Sequence, residues 1–150
     1  MNAPLKILLP VDGSAYALAA VRHALRLAAA VAEYVLVNVQ EPASLYEVVV
    51  THDAERLAQL RREAGADLMQ AAEALLDEAG VEYESEVAGG VPEHLIVELA
   101  ESYACDAIVM GALGQGAAPG AHGLGSVAAA VLGASPVPVT VVRVVDEVQE

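Results

Sequence analysis

Five short apolar runs, each separated from the next by a stretch with helical spacing, constrain this 150-residue chain more than any single motif does. They are KILLPV (6–11), YVLVNV (34–39), VEYESEVA (81–88), AIVM (107–110) and VPVTVVRVV (137–145). Runs apolar on both faces belong to strands covered on both sides, and strands alternating with helices predict an α/β doubly wound domain. The third run alternates apolar and acidic residues, the pattern of an outer strand with one wet face. The expected architecture is an open five-stranded parallel sheet, order 3-2-1-4-5, with helices on both faces: a Rossmann-like single domain over 1–150. The order reverses between the first and fourth strands, and ligands of such sheets sit beyond the strand C-termini at that point.

The helical stretches have readable ends. Ser14 is placed to cap a helix reaching about Ala32, with Leu18, Val21, Leu25, Ala28 and Ala29 along its apolar face. Glu55 to Ala79 carries the stripe Leu57, Leu60, Ala64, Leu68, Ala71, Leu75 and Ala79, and Gly80 stops it. Pro92 opens a third helix to about Tyr103, with Leu95, Ile96, Leu99 and Ala100 inward, and Gly125-Ser126 opens a short fourth to about Ala134. Ala43 to Asp53 reads as an irregular connection despite Val48-Val49-Val50. With neither Phe nor Trp and five Tyr, the core is built from Ala, Val, Leu and Ile, which suits helices packed closely on a sheet.

Charge and targeting narrow the function classes. A net charge of −14 and a pI near 4.4 repel phosphate backbones and anionic lipid, so neither nucleic acid nor a membrane surface is expected as a partner. Met1 to Pro10 lacks the apolar length and cleavage site of a signal peptide, and one cysteine fits a reducing compartment; the expected location is cytoplasmic.

The segment GALGQGAAPGAHGLGS (111–126) follows the fourth strand and opens a helix. Glycines let backbone N–H groups approach a ligand, and a helix starting at Ser126 offers free N–H groups to an anion. A flexible surface loop has the same composition, so both readings stand. The segment is not a Walker loop, since no G-K-[ST] is present and Lys6 is the only lysine; nor is it the dinucleotide fingerprint, which follows a first strand. Asp12, after the first strand, fits a turn or a helix cap as well as a ligand contact, and Ser126 fits a plain N-cap.

The pieces KILLPVDGS, VLVNVQEP, GGVPEHLIVELAE, DAIVMG and GSVAAAVLGASPVPVTVVR, in this order and spacing, resemble a universal stress protein over nearly the whole chain. In the nucleotide-binding branch of that family, Gly-x2-Gly is followed by nine residues and then Gly-Ser or Gly-Thr. Here ten residues, 115–124, separate Gly114 from Gly125, and Pro119 and further glycines replace the usual helical stretch. The resemblance implies ATP, or alternatively AMP or ADP, with Mg2+ or Mn2+ held through the phosphates. It assigns Asp12 to the nucleoside, the Val39 backbone to adenine, and Gly111 and Gly114 to the ribose and phosphates. Gly125, Ser126 and Val127 become phosphate donors, and Pro10, Val11 and Met110 complete the set at the strand ends. It also implies a homodimer through the C-terminal strand, at Thr140, Val142 and Val144.

The remaining reactive side chains read as structural. His122 is a solvated loop histidine, and His23, His52 and His94 lack the spacing or company of a metal site. Cys105 is a packed residue with no His-Asp pairing beside it. Glu82, Glu84 and Glu86 form a solvated face, while Arg56, Arg61 and Arg62 pair with the excess acids. No residue is an evident general base, so no catalytic residue is assigned and hydrolysis is expected to be slow at most. An adenylyl-transferring enzyme would need a pyrophosphate loop and cations that are not visible. A stress-linked interaction module without nucleotide stands as the alternative, favoured by the ten-residue spacer.

Overall fold

A computed structural model describes residues 4–41, 44–118 and 121–144. The strands are β1 (Leu5–Pro10), β2 (Ala32–Gln40), β3 (Tyr83–Gly89), β4 (Ala107–Gly111) and β5 (Val139–Val142). All pair in parallel, in the order β3-β2-β1-β4-β5. The helices are α1 (Ala15–Ala28), α2 (Leu45–Thr51), α3 (Ala54–Ala79), α4 (Pro92–Ser102) and α5 (Ser126–Ala134).

Alternation along the central strands sorts side chains between two cores. Ile7, Leu9 and Val11 of the β1 segment, Tyr34 and Leu36 of β2, and Val109 of β4 pack under α1 and α3. Leu8, Val35, Val37, Ile108 and Met110 point the other way, against Ile96, Leu99 and Ala100 of α4 and Ala128 and Val131 of α5. Small residues let the helices approach: α1 buries Ala17, Ala20, Val21 and Ala24. In α3, Gly65 faces the sheet so closely that a Cβ would stand 2.6 Å from Val87 Cγ1 and 2.7 Å from Asn38 Oδ1. Cys105 belongs to the second core, where burial pushes its thiol up to about 11. It is a packing residue rather than a thiolate nucleophile. The acidic strand β3 lies at one edge, as its alternation requires, with Glu82 beside it and Glu84 within it exposed and Glu86 accepting a hydrogen bond from the Tyr103 hydroxyl.

Besides the apolar stripe of α3, which turns Leu60, Ala64, Ala71 and Ala79 to solvent and buries Gly65, Met69, Ala72 and Leu76 instead, four expectations need correction. The connection 43–53 contains helix α2. Its start is a reciprocal capping box: Ser44 Oγ accepts from Glu47 N–H at 3.1 Å, and Glu47 Oε1 accepts from Ser44 N–H at 3.1 Å. Arg61 on α3 then braces α2, bonding Glu47 Oε2 and the Glu41 carbonyl at 2.8 Å each. Second, α1 stops at Ala28, followed by a 3-10 turn over Ala29–Val31, and β2 begins at Ala32. Ala29 takes φ 43°, strained for a residue with a side chain, and its carbonyl accepts the buried Tyr34 hydroxyl at 2.7 Å. Third, β5 covers only Val139–Val142, because Pro136 and Pro138 lie ahead of it and Arg143 and Val144 leave the ladder. Fourth, Ser126 is the first helical residue and Gly125 the N-cap. Pro42, Ala43, Pro119 and Val145, used in the sequence reading, lie outside the described residues.

Two glycines of the α3 segment should fail differently when replaced. Gly65→Val overfills a packed contact and should cost about 2 kcal/mol in urea unfolding. Gly80, at φ 69° with nothing within 4 Å of a Cβ, should tolerate Asn at under about 1 kcal/mol. Equal losses at the two positions would contradict this packing.

Candidate functional site

The crossover from β1 to β2 and the one from β3 to β4 place α1 and α4 on opposite faces of the sheet, so a crevice opens where β1 and β4 end. The chain after each strand is then shaped by backbone hydrogen bonds. Val11 N–H donates to the Val37 carbonyl at 2.8 Å, and the buried Asn38 donates from Nδ2 to the Val11 carbonyl at 2.8 Å. Asn38 Oδ1 in turn accepts from Gln40 Nε2 at 2.7 Å. This pins the end of β1 just ahead of Asp12.

Asp12 connects the two loops. One carboxylate oxygen accepts Ser14 N–H at 3.0 Å, an Asx turn that starts α1, and the other accepts Gln115 N–H at 2.9 Å. Ser14 Oγ caps the helix, accepting from Ala17 N–H at 3.2 Å. Of the readings open for Asp12, the turn holds and the cap does not: Ser14 is the N-cap. Gly114 is required where the loop crosses this carboxylate, because a Cβ there would lie 2.6 Å from Asp12 Oδ2. At Gly111 a Cβ would stand 2.8 Å from Tyr16 Cβ, so only glycine lets the end of β4 pass the first turn of α1.

These segments enclose a cleft of about 430 Å³. Its wall includes all ten residues selected from the sequence: Pro10, Val11, Asp12, Val39, Met110, Gly111, Gly114, Gly125, Ser126 and Val127. Thr140, Val142 and Val144 lie elsewhere, on and just beyond the edge strand. Sequence reasoning missed Gln115, whose backbone closes the loop, and Asn38, a lone polar residue inside an apolar run. It also missed Pro92 and Ile96, which bring the start of α4 to the cleft.

The electrostatics of the wall are simple. Among the described residues Asp12 is its only charged side chain, and no Lys or Arg lines it. Both α4 and α5 start without a side-chain cap, behind Val91 and Gly125. Gly125 N–H is taken by the Ala112 carbonyl at 2.7 Å. The next three N–H groups, of Ser126, Val127 and Ala128, have no intrahelical acceptor and border the cleft. An acceptor-rich, anionic group fits there on donor geometry and helix dipole rather than on side-chain charge. His122 is exposed in the loop. Among the described residues no three His, Cys, Asp or Glu are grouped to hold a metal ion, so a cation at this wall would need oxygens from a ligand. Among the same residues no helix is long and apolar enough to cross a membrane.

Fold and cleft together define a doubly wound α/β protein with a ligand crevice at its switch point, and residues 5–143 match the universal stress protein family. The chain belongs to that family. It is 33% identical to a universal stress protein of Methanocaldococcus jannaschii over 139 residues, 92% of this chain and 81% of that protein. The structure of UspA from Lactobacillus plantarum superimposes with a TM-score of 0.78 at 26% identity, over 95% of this chain and 100% of the other. A universal stress protein in complex with cAMP matches with a TM-score of 0.69 at 28% identity, covering 94% and 98% of the two chains.

Removing the Asp12 carboxylate tests the clip between the loops without any ligand. Asp12→Ala should cost about 1 to 2 kcal/mol in thermal unfolding. It should also speed hydrogen exchange at the Ser14 and Gln115 amides. Unchanged exchange at Gln115 would show that the glycine loop is held by something else.

Proposed function

We propose that this protein is a stress-response regulator that binds ATP, or another adenine nucleotide, in the cleft at the ends of β1 and β4. The observation that carries the reading is the pairing of an apolar floor with free helix N–H groups. Val39, over the buried Val37 and Met110, offers an apolar surface for a base, and Ser126 to Ala128 offer donors for phosphate at the start of α5. A relative at 28% identity is described in complex with cAMP, which supports an adenine nucleotide as the class of ligand. With no cationic side chain on the wall, Mg2+ or Mn2+ would enter with the phosphates and offset their charge. The net charge of −14 opposes an anion, but at physiological salt that field is screened over about 8 Å, and the local donors outweigh it. Nucleotide occupancy would act as a signal through its differential affinity for two states of the protein.

The proposal includes a homodimer through the C-terminal strand. β5 is the last strand of the sheet, with β4 on one side only. The carbonyls of Pro138 and Val142 accept from Ile108 and Ala112 N–H at 2.9 and 2.8 Å, so this set of backbone groups faces β4. By alternation, the groups of Val139 and Val141 face outward, free to pair with a second copy. Val142 turns its side chain into the core under α1, so the contact would run along the backbone, with Thr140 and Val144 exposed beside it. The alternative, a dimeric interaction module without nucleotide, draws on the same edge and on the absence of Lys and Arg from the cleft.

Thermal unfolding with and without ATP and Mg2+, repeated with AMP, separates the two readings. At 100 times the dissociation constant a ligand adds ~2.7 kcal/mol, a rise of roughly 5–10 °C at this size. The shift should vanish in Asp12→Ala and Gly114→Val. Absence of any shift in protein free of copurified nucleotide leaves the interaction module. For the dimer, Val141→Pro removes an outward N–H without touching the β4 ladder and should give monomer by light scattering. A dimer that survives this change does not use the β5 edge.

A further inference from the structure

Arg143 stands just past β5, and its guanidinium reaches back to the glycine loop, donating from Nη1 to the Gly123 carbonyl at 3.2 Å. A second connection runs beside it through the backbone. Ala112 N–H donates to the Val142 carbonyl at 2.8 Å, and the Ala112 carbonyl accepts Gly125 N–H at 2.7 Å. The end of β5 therefore holds the loop before α5 at two points: a main-chain relay at Ala112 and Gly125, and a side-chain pin at Gly123. Both points lie within two residues of the N-cap whose following N–H groups face the cleft.

The placement of this cation is otherwise unfavourable. The guanidinium donates to Gly123, two residues ahead of the α5 N-cap, and so is held near the positive end of a helix dipole, where cations are disfavoured. The chain has 21 acidic residues against seven basic ones, yet among the described residues this arginine donates to a main-chain carbonyl and not to a carboxylate. A local conflict of this kind is expected at a functional position. An anion bound at the helix start would relieve it, being attracted by both the dipole and the guanidinium.

We infer that Arg143 is a positioning residue for the phosphate side of the cleft: by pinning Gly123 to the end of β5 it aims the Ser126, Val127 and Ala128 N–H groups at a nucleotide phosphate. This rests on the adenine-nucleotide reading of the cleft. Arg143 does not line the cleft, so it acts through the loop rather than by contact with the nucleoside. It also ties the loop to the strand through which a second copy would pair.

The test compares wild type with Arg143→Met, which keeps the stem and removes the donors, and with Arg143→Lys, which restores one. Titration with Mg-ATP and with adenosine should show ATP binding weakened about tenfold in Arg143→Met, the loss of one charge-assisted bond. Adenosine binding should be unchanged, and Arg143→Lys should recover part of the ATP affinity. Hydrogen exchange on ligand-free protein should show the Ala112 and Gly125 amides less protected in Arg143→Met. Equal weakening for ATP and adenosine, or exchange that does not differ from wild type, overturns the inference. Wild-type protein that binds neither ligand overturns the reading of the cleft instead, and exchange in the ligand-free protein still decides whether Arg143 holds the loop.

Discussion

The Asp12 carboxylate accepts Ser14 N–H with one oxygen and Gln115 N–H with the other, joining two backbone segments 103 residues apart. These bonds tie the first part of the glycine loop to the turn after β1, while the end of β5 holds its later part through Ala112, Gly123 and Gly125. Glycine at 114 is a consequence, since any side chain would displace the carboxylate. The position of Asp12 depends in turn on where β1 ends, and the bonds around Val11 from Val37 and Asn38 hold that end. A polar residue as buried as Asn38 is costly unless its amide is satisfied, and here it both donates and accepts.

The helices divide into those that hold the sheet and those that open onto the cleft. α1 and α3 use alanines and one glycine to lie close on one face, which compensates for a core without Phe or Trp. α4 and α5 cover the other face and start at the cleft without side-chain caps. An uncapped start leaves N–H groups unsatisfied by protein, a cost in an empty site and an affinity in a filled one. Since the wall carries no basic side chain, selectivity among anions there would come from geometry and from whatever cation accompanies the ligand.

Much of this was legible in the residues. The alternation of strands with helices, the cap at Ser14, the stop at Gly80 and the acidic edge strand are local signals, and each is seen in the structure; the buried face of α3, through Gly65, Met69, Ala72 and Leu76, is not the leucine and alanine stripe its sequence suggests. The capping box Ser44-x-x-Glu47 was also legible, but the stretch around it read as an irregular connection and the seven-residue helix was missed. No such signal marks the end of α1. Its last turn is followed by alanines that would continue a helix, and the stop at Ala28 goes with the Tyr34 hydroxyl bonding the Ala29 carbonyl.

Sequence alone determined the class of fold and the two loops that follow the first and fourth strands, because strand and helix periods are local residue patterns and alternating strands and helices form a parallel sheet. Tertiary structure decided what those loops do to one another. The second bond of Asp12, the inward turn of Val142 and the reach of Arg143 to Gly123 join residues far apart or on neighbouring elements. Such contacts depend on the three-dimensional path of the chain and leave no spacing to read. The ten wall residues stood at predictable strand and helix ends; the clip and the pin that hold them there arise only once the sheet has brought those ends together.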